Sequence, residues 1–355
     1  MRAARQPSLR SARPSGARRL LVALGLVLMA SSALLLWQHF KAAPSYRYVM
    51  GAAVPEADLG PLAAFAQNKL TVRRATVQPT DDATPLAELE IAESAAGPVL
   101  LNWRARVDDP FLTLAVPPED VTALAQVLGR HVPSGSTVLA WWDSSRQFKL
   151  LAGVNVQFGE HLGLPLFVPA RWSAQRAGVE SIERSFWRGE GSADPVQEQE
   201  RFRRFAQALL MPEAEGMAAL QALAGGKPAV LALHLRDVIL LGQMAPDQLG
   251  VAFQDFGVMT DVHGMVRRVH AWLDEHKYPA YGIVQAKGRP VRAVALTDAA
   301  SGKTLAARLL PFVGNDQQDV AGATLVYQAG GFSVFEIAPA AVTAAAAAEP
   351  GRSQP

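Results

Sequence analysis

The stretch "STVLAWWDSSRQFKLLAG", Ser136 to Gly153, decides how the middle of the chain is read. "STVLAWW" is an apolar run of strand length, and "DSSRQFKLLAG" carries the polar start and glycine stop of a helix. A buried strand feeding directly into a helix is a building unit of α/β folds. Ser144 and Gln147 stand at capping-box spacing, Asp143 adds negative charge at the helix start, and Gly153 suits its end. The two tryptophans are expected on opposite sides of the strand end.

The same geometry offers a binding site. A helix start leaves backbone N–H groups free, and strand ends of open α/β sheets are where ligands sit. Trp141, Trp142, Asp143, Arg146 and, further on, His161 are therefore the candidates for ligand or partner binding. A cleft uniting Asp143, Arg146 and His161 would favour an enzyme; burial of all three would remove that reading.

Outward from this stretch, patterns of both kinds recur. "LTVRRATV" (70–77), "LAELEIAE" (86–93) and "GPVLLNWRARV" (97–107) alternate like strands. "PPEDVTALAQVLGRH" has proline and acids in its first turn and Val121, Leu124, Val127 and Leu128 at helical spacing. "DPVQEQERFRRFAQALL" predicts a helix with Asp194 as N-cap and Phe202, Phe205 and Leu209 on one face. "AEGMAALQALAGG" predicts a second helix, closed by glycines. "PAVLALHL" (228–235) is a continuous apolar run, the mark of a strand covered on both faces. "DVHGMVRRVHAWLDEHKYP" predicts a helix with Val262, Met265, Val269 and Leu273 inward. "YGIVQAK", "PVRAVALTD", "TLAARLLPF" and "FSVFEIA" read as closing strands, in hairpins. The sum is an α/β domain with a mixed sheet over 70–337. Residues 42–69 read as a juxtamembrane linker with a short helix, and 338–355 as an Ala-rich tail, a short helix or disordered.

The N-terminus sets the location. Arg2, Arg5, Arg10, Arg13, Arg18 and Arg19 precede an uncharged run from Leu20 to Trp37, and the first acid is Glu56. Eighteen helical residues span about 27 Å, close to a hydrocarbon core of roughly 30 Å. Trp37, His39, Phe40 and Lys41 make an interfacial edge. The expectation is one transmembrane anchor over 20–37 in a bacterial inner membrane. The basic leader 1–19 stays in the cytoplasm and the bulk lies in the periplasm, with the lipid bilayer as a partner. A cleaved signal peptide is the alternative, but Phe40 and Lys41 sit badly before a cut at Ala43.

Composition excludes several functions. Net charge is only +2, and much of the basic excess lies in the leader, so no nucleic-acid partner is expected. With no cysteine in 355 residues, the chain forms no disulfide, thiolate metal site or covalent c-type haem link. "DAASGKT" ends like a phosphate loop, but Thr297 stands where that loop needs glycine, and strand patterns on both sides predict a hairpin turn. His263 and His270 share a helix face with Arg267 between them, which would repel a metal cation. No nucleophile elbow or dinucleotide fingerprint occurs. No catalytic residue, metal ligand or cofactor site is therefore expected.

These motifs carry two resemblances. "STVLAWWDSSRQFKLLAGVNVQFGEHL" and "GKPAVLALHLRDV", within 136–250, resemble the Trp-Trp-Asp region of the oligosaccharyltransferase catalytic subunit. There the motif grips the hydroxyl of an acceptor sequon, and Trp141, Trp142 and Asp143 are the matching positions. That family's many-helix membrane domain is missing, and Ser144-Ser145 replaces its tyrosine-glycine, so a related soluble fold binding peptide or glycan is implied, not glycosyl transfer. Over most of the chain, the basic leader, the span, "WWDSSRQ", "HLGLPLFVPARW", "DVHGMVRRVHAWL" and "DAASGKTLAARLLPF" resemble the HaoB family. These are hydroxylamine oxidation proteins encoded beside octahaem hydroxylamine oxidoreductase. That resemblance implies a membrane-anchored periplasmic accessory protein, itself non-catalytic, serving the oxidoreductase in docking, electron delivery or maturation.

Overall fold

The computed structural model describes residues 20, 23–32, 45–63, 70–82, 84–94, 97–165, 175–188, 195–258, 261–286, 288–315 and 319–339. The chain divides into two units, Met1–Pro44 and Ser45–Pro355. In the first, residues 23–32 are helical and exposed; the rest of the expected span, residue 20 apart, lies outside the described residues. No helix among the described residues is long and apolar enough to cross a membrane.

The second unit opens with strands β1 (Tyr46–Ala53), β2 (Val72–Pro79), β3 (Ala87–Ala92) and β4 (Val99–Ala105). Next are helix α1 (Pro118–His131), strand β5 (Thr137–Ala140) and helices α2 (Trp142–Ala152), α3 (Arg176–Trp187), α4 (Pro195–Leu210) and α5 (Glu213–Leu223). Then come β6 (Ala229–His234), α6 (Leu235–Met244), β7 (Val251–Val258), α7 (Val262–His276), β8 (Ala280–Val284) and β9 (Pro290–Leu296). The chain closes with α8 (Leu305–Leu309), β10 (Ala323–Ala329) and β11 (Phe332–Ile337).

The strands form three sheets: β1-β2-β3-β4, β10-β11-β6-β5 and β7-β9-β8. The first is an antiparallel meander whose alternation buries Ala87, Leu89 and Ile91 of β3 and Val99, Leu101 and Trp103 of β4. The second is mixed: β6 runs parallel to β5, with Leu139 opposite Leu231, and antiparallel to β11. Every residue of β6 is buried. Its side chains divide by the strand period, Ala229, Leu231 and Leu233 into the larger core and Val230 and Ala232 into the smaller. The continuous apolar run is thus explained by two covered faces. The third sheet is antiparallel and takes the buried side of α7, with Val269, Trp272 and Leu273 on Ala293 and Ala295.

The α/β class with strands 72–79, 87–92, 99–105 and 229–234 agrees with the sequence reading. So do helices α1, α4 and α5, the last ended by Gly225 and Gly226 at positive φ. Several expectations are corrected. The mixed sheet is one of three. The expected linker contains β1, which pairs with β2 along Tyr46–Ala53; its tyrosines point the strand at the core. "TLAARLLPF" is not a strand. Thr304 Oγ1 accepts from the Ala307 N–H and starts α8, whose Leu305, Ala306, Ala307 and Leu309 are all buried, so no periodicity marked it as a helix. "DAASGKT" therefore joins a strand to a short helix and is no hairpin turn. Val262 is exposed because it begins α7 just after the Asp261 cap, and Trp272 occupies the buried stripe instead. Finally, Ser144 and Gln147 make no capping box, because α2 starts earlier, at Trp142. Asp194 and residues 340–355 lie outside the described residues.

Candidate functional site

The site grows from the end of β5. After Ala140 the backbone turns at Trp141 and α2 begins at once, with no side-chain cap at its start. Ser145 Oγ donates back to the Ala140 carbonyl at 3.1 Å, and its N–H donates to the Trp141 carbonyl at 2.8 Å. Gln147 Nε2 donates to the Leu100 carbonyl at 2.9 Å, and Arg146 Nη2 to the Pro98 carbonyl at 2.8 Å. Both long side chains thus staple α2 to β4 instead of facing solvent. Gly153 ends the helix at φ 68°, as its place in the sequence implies.

The two tryptophans separate. Trp141 meets Phe202 edge to face at 4.9 Å, within the larger core. Trp142 stands edge to face with His161 at 4.6 Å. Asp143 sits in the first turn of α2, and both its oxygens accept from Arg236, at 2.9 and 3.0 Å. Arg236 comes two residues after the end of β6 and also donates to Asp237 at 3.2 Å. The His234 N–H donates to Asp237 Oδ2, and His234 Nδ1 accepts from the Arg236 N–H, so a reciprocal cap fixes this corner. Burial and the Arg236 charge push His234 down to about 3, which keeps it neutral. Burial pushes Asp237 up to about 6.

His161 lies in a second polar group that the sequence does not announce. Its Nδ1 accepts from the Gly163 N–H at 3.0 Å, so the neutral ring carries its proton on Nε2. Nε2 faces Glu183 Oε2 at 4.0 Å, too far for a direct hydrogen bond. The Glu183 carboxylate accepts from the Tyr46 and Tyr48 hydroxyls, the latter at 2.6 Å. Burial lifts Glu183 to about 7 against the lowering pull of its donors, Tyr46, Tyr48 and Trp187. Burial, then Arg146 and Arg188, hold His161 well below its ordinary range. The His161 ring stacks on Trp187 at 5.4 Å.

A cavity of about 80 Å³ lies among Tyr46, Tyr48, Trp142, His161, Glu183 and Trp187, and Asp143 and Arg146 also line it. Asp143, Arg146 and His161 are thus brought to one cavity, yet each is at most 5% exposed. Trp141 does not line it. The space holds a few atoms, and its walls can exchange a hydrogen bond and store a proton on Glu183. No group of three or more His, Asp and Glu side chains able to hold a metal occurs among the described residues. Sequence reasoning missed Glu183, Tyr46, Tyr48 and Arg236. Only Arg236-Asp237 left a signal, a charged pair one residue beyond a fully buried strand.

The family model described as HaoA-associated protein HaoB matches residues 11–337. No curated protein and no solved structure matches, so the resemblance to the oligosaccharyltransferase domain is not borne out.

Proposed function

The chain belongs to the family of the HaoA-associated protein HaoB, and from that membership we propose that it is a docking partner of hydroxylamine oxidoreductase. The observation that carries the reading is the length of the match, which runs from residue 11, within the leader, to the end of the folded domain at 337. In this reading residues 20–37 span the bacterial inner membrane, the basic leader stays in the cytoplasm, and residues 70–337 face the periplasm. The six leader arginines before an uncharged run support that orientation. The protein contributes binding, not chemistry; delivery of electrons and maturation of the oxidase are the lesser alternatives.

Affinity capture of the full-length chain from native membranes under mild crosslinking tests docking. The expected result is recovery of the oxidoreductase in proportion to the captured chain. Its absence from the capture, with the chain itself recovered, overturns docking.

A further inference from the structure

Arg236 also lines a cleft of about 530 Å³, between the β4 end, the turn at Pro110–Thr113 and strands β8 and β9. This volume lies within the range of small-molecule sites, roughly 300–1,000 Å³. Its lining includes Arg104, Arg236, Arg289 and Arg292 against a single carboxylate, Asp255. That carboxylate is already taken, since Arg292 grips it through Nε and Nη2, both at 2.7 Å, and donates on to Thr113.

The other three guanidiniums keep donors in reserve. Arg236 is 3% exposed, and its Nε is buried with no hydrogen-bond partner. Its other nitrogens are held by Asp143 and Asp237, so the fork is fixed in place. The Arg104 side chain is exposed and makes no ion pair among the described residues. Arg289 makes one long bond, 3.5 Å from Nη1 to the Ala115 carbonyl; Asp120 lies near enough to feel its charge but forms no ion pair with it. His234, also in the wall, is neutral and adds no charge. Trp103, Leu112 and Leu114 give the same cleft an apolar side.

We propose that this cleft binds a small organic anion, its carboxylate or phosphate group taken by Arg104, Arg236 and Arg289 and its apolar body lying on Trp103 and Leu114. A fixed buried guanidinium with a spare donor is a strong oxyanion partner, because the charge-assisted bond forms where water competes poorly. The Trp-Trp-Asp aspartate then has a positioning role, holding Arg236 from behind. The proposal does not depend on docking to the oxidoreductase.

The test is calorimetric titration of the full-length protein in detergent with benzoate, phenyl phosphate and neutral benzamide. At least one anion is expected to bind about tenfold more tightly than benzamide, and to weaken as salt is added. Preference for benzoate identifies a carboxylate ligand; preference for phenyl phosphate identifies a phosphate ligand. Arg104→Gln and Arg289→Gln are each expected to weaken the anion by about tenfold with an unchanged melting temperature. Equal binding of benzamide, unchanged affinity in both variants, or no binding of either anion at millimolar concentration would overturn the proposal.

Discussion

Asp143 shows how a residue chosen for one role can hold another. As a candidate ligand group it should tolerate removal; as the partner of a buried arginine it should not. Asp143→Ala leaves Arg236 with only the 3.2 Å contact to Asp237, and breaking such a buried pair costs about 3 kcal/mol. Urea unfolding should show that loss, with Asp143→Asn less affected because it keeps a hydrogen-bond acceptor. An Asp143→Ala protein as stable as the parent would remove the structural role. Glu183 gives a test with a definite sign. Its folded pKa of about 7 lies above its ordinary 4.5, so the folded state binds the extra proton and this group's contribution is full below 4.5 and lost as pH rises to 7. Glu183→Gln abolishes that titration. The variant should match the parent near pH 4 and gain on it by up to about 3 kcal/mol above pH 7. The difference between the two proteins isolates Glu183 from His234, whose depressed pKa acts the other way, withdrawing stability as pH falls from 6.5 to about 3. A stability difference independent of pH would rule out a titrating Glu183.

Element by element, what was legible in the sequence was what is local. The apolar run of β6, the phenylalanine stripe of α4 and the first-turn acids of α1 each declare themselves within a window of about 15 residues. The site was half legible for the same reason. Trp142, Asp143, Arg146 and His161 were found as a cluster, but Asp143 and its partner are 93 residues apart, and Tyr46 and Glu183 are 137 apart. No periodicity reports such pairs. Helix α8 was lost because four of its five residues are buried, leaving no polar face, and only the Thr304 hydroxyl marks its start. Thr304→Ala should therefore cost about 1 kcal/mol. Gly153 ends α2 at φ 68° with open space where a Cβ would go, so Gly153→Ala should cost about 1 kcal/mol from backbone strain alone. Thermal melts of the two variants check both figures, and a neutral Thr304→Ala would remove the cap from the explanation of α8.

At the scale of the whole molecule, the folded unit presents two cavities that share Trp103 and Leu112 in their walls. One is a small aromatic cavity around Glu183, the other an arginine-lined cleft. The sequence has no thiol with which to attach a haem. The proposed accessory role rests on the family match to a HaoA-associated protein. The most direct measurement is binding between purified components: the full-length chain in lipid nanodiscs, titrated with purified hydroxylamine oxidoreductase and monitored by surface plasmon resonance. Docking requires saturable binding in the micromolar range or tighter that survives removal of crosslinker. Absence of saturable binding at those concentrations, with the chain folded and inserted, would contradict it.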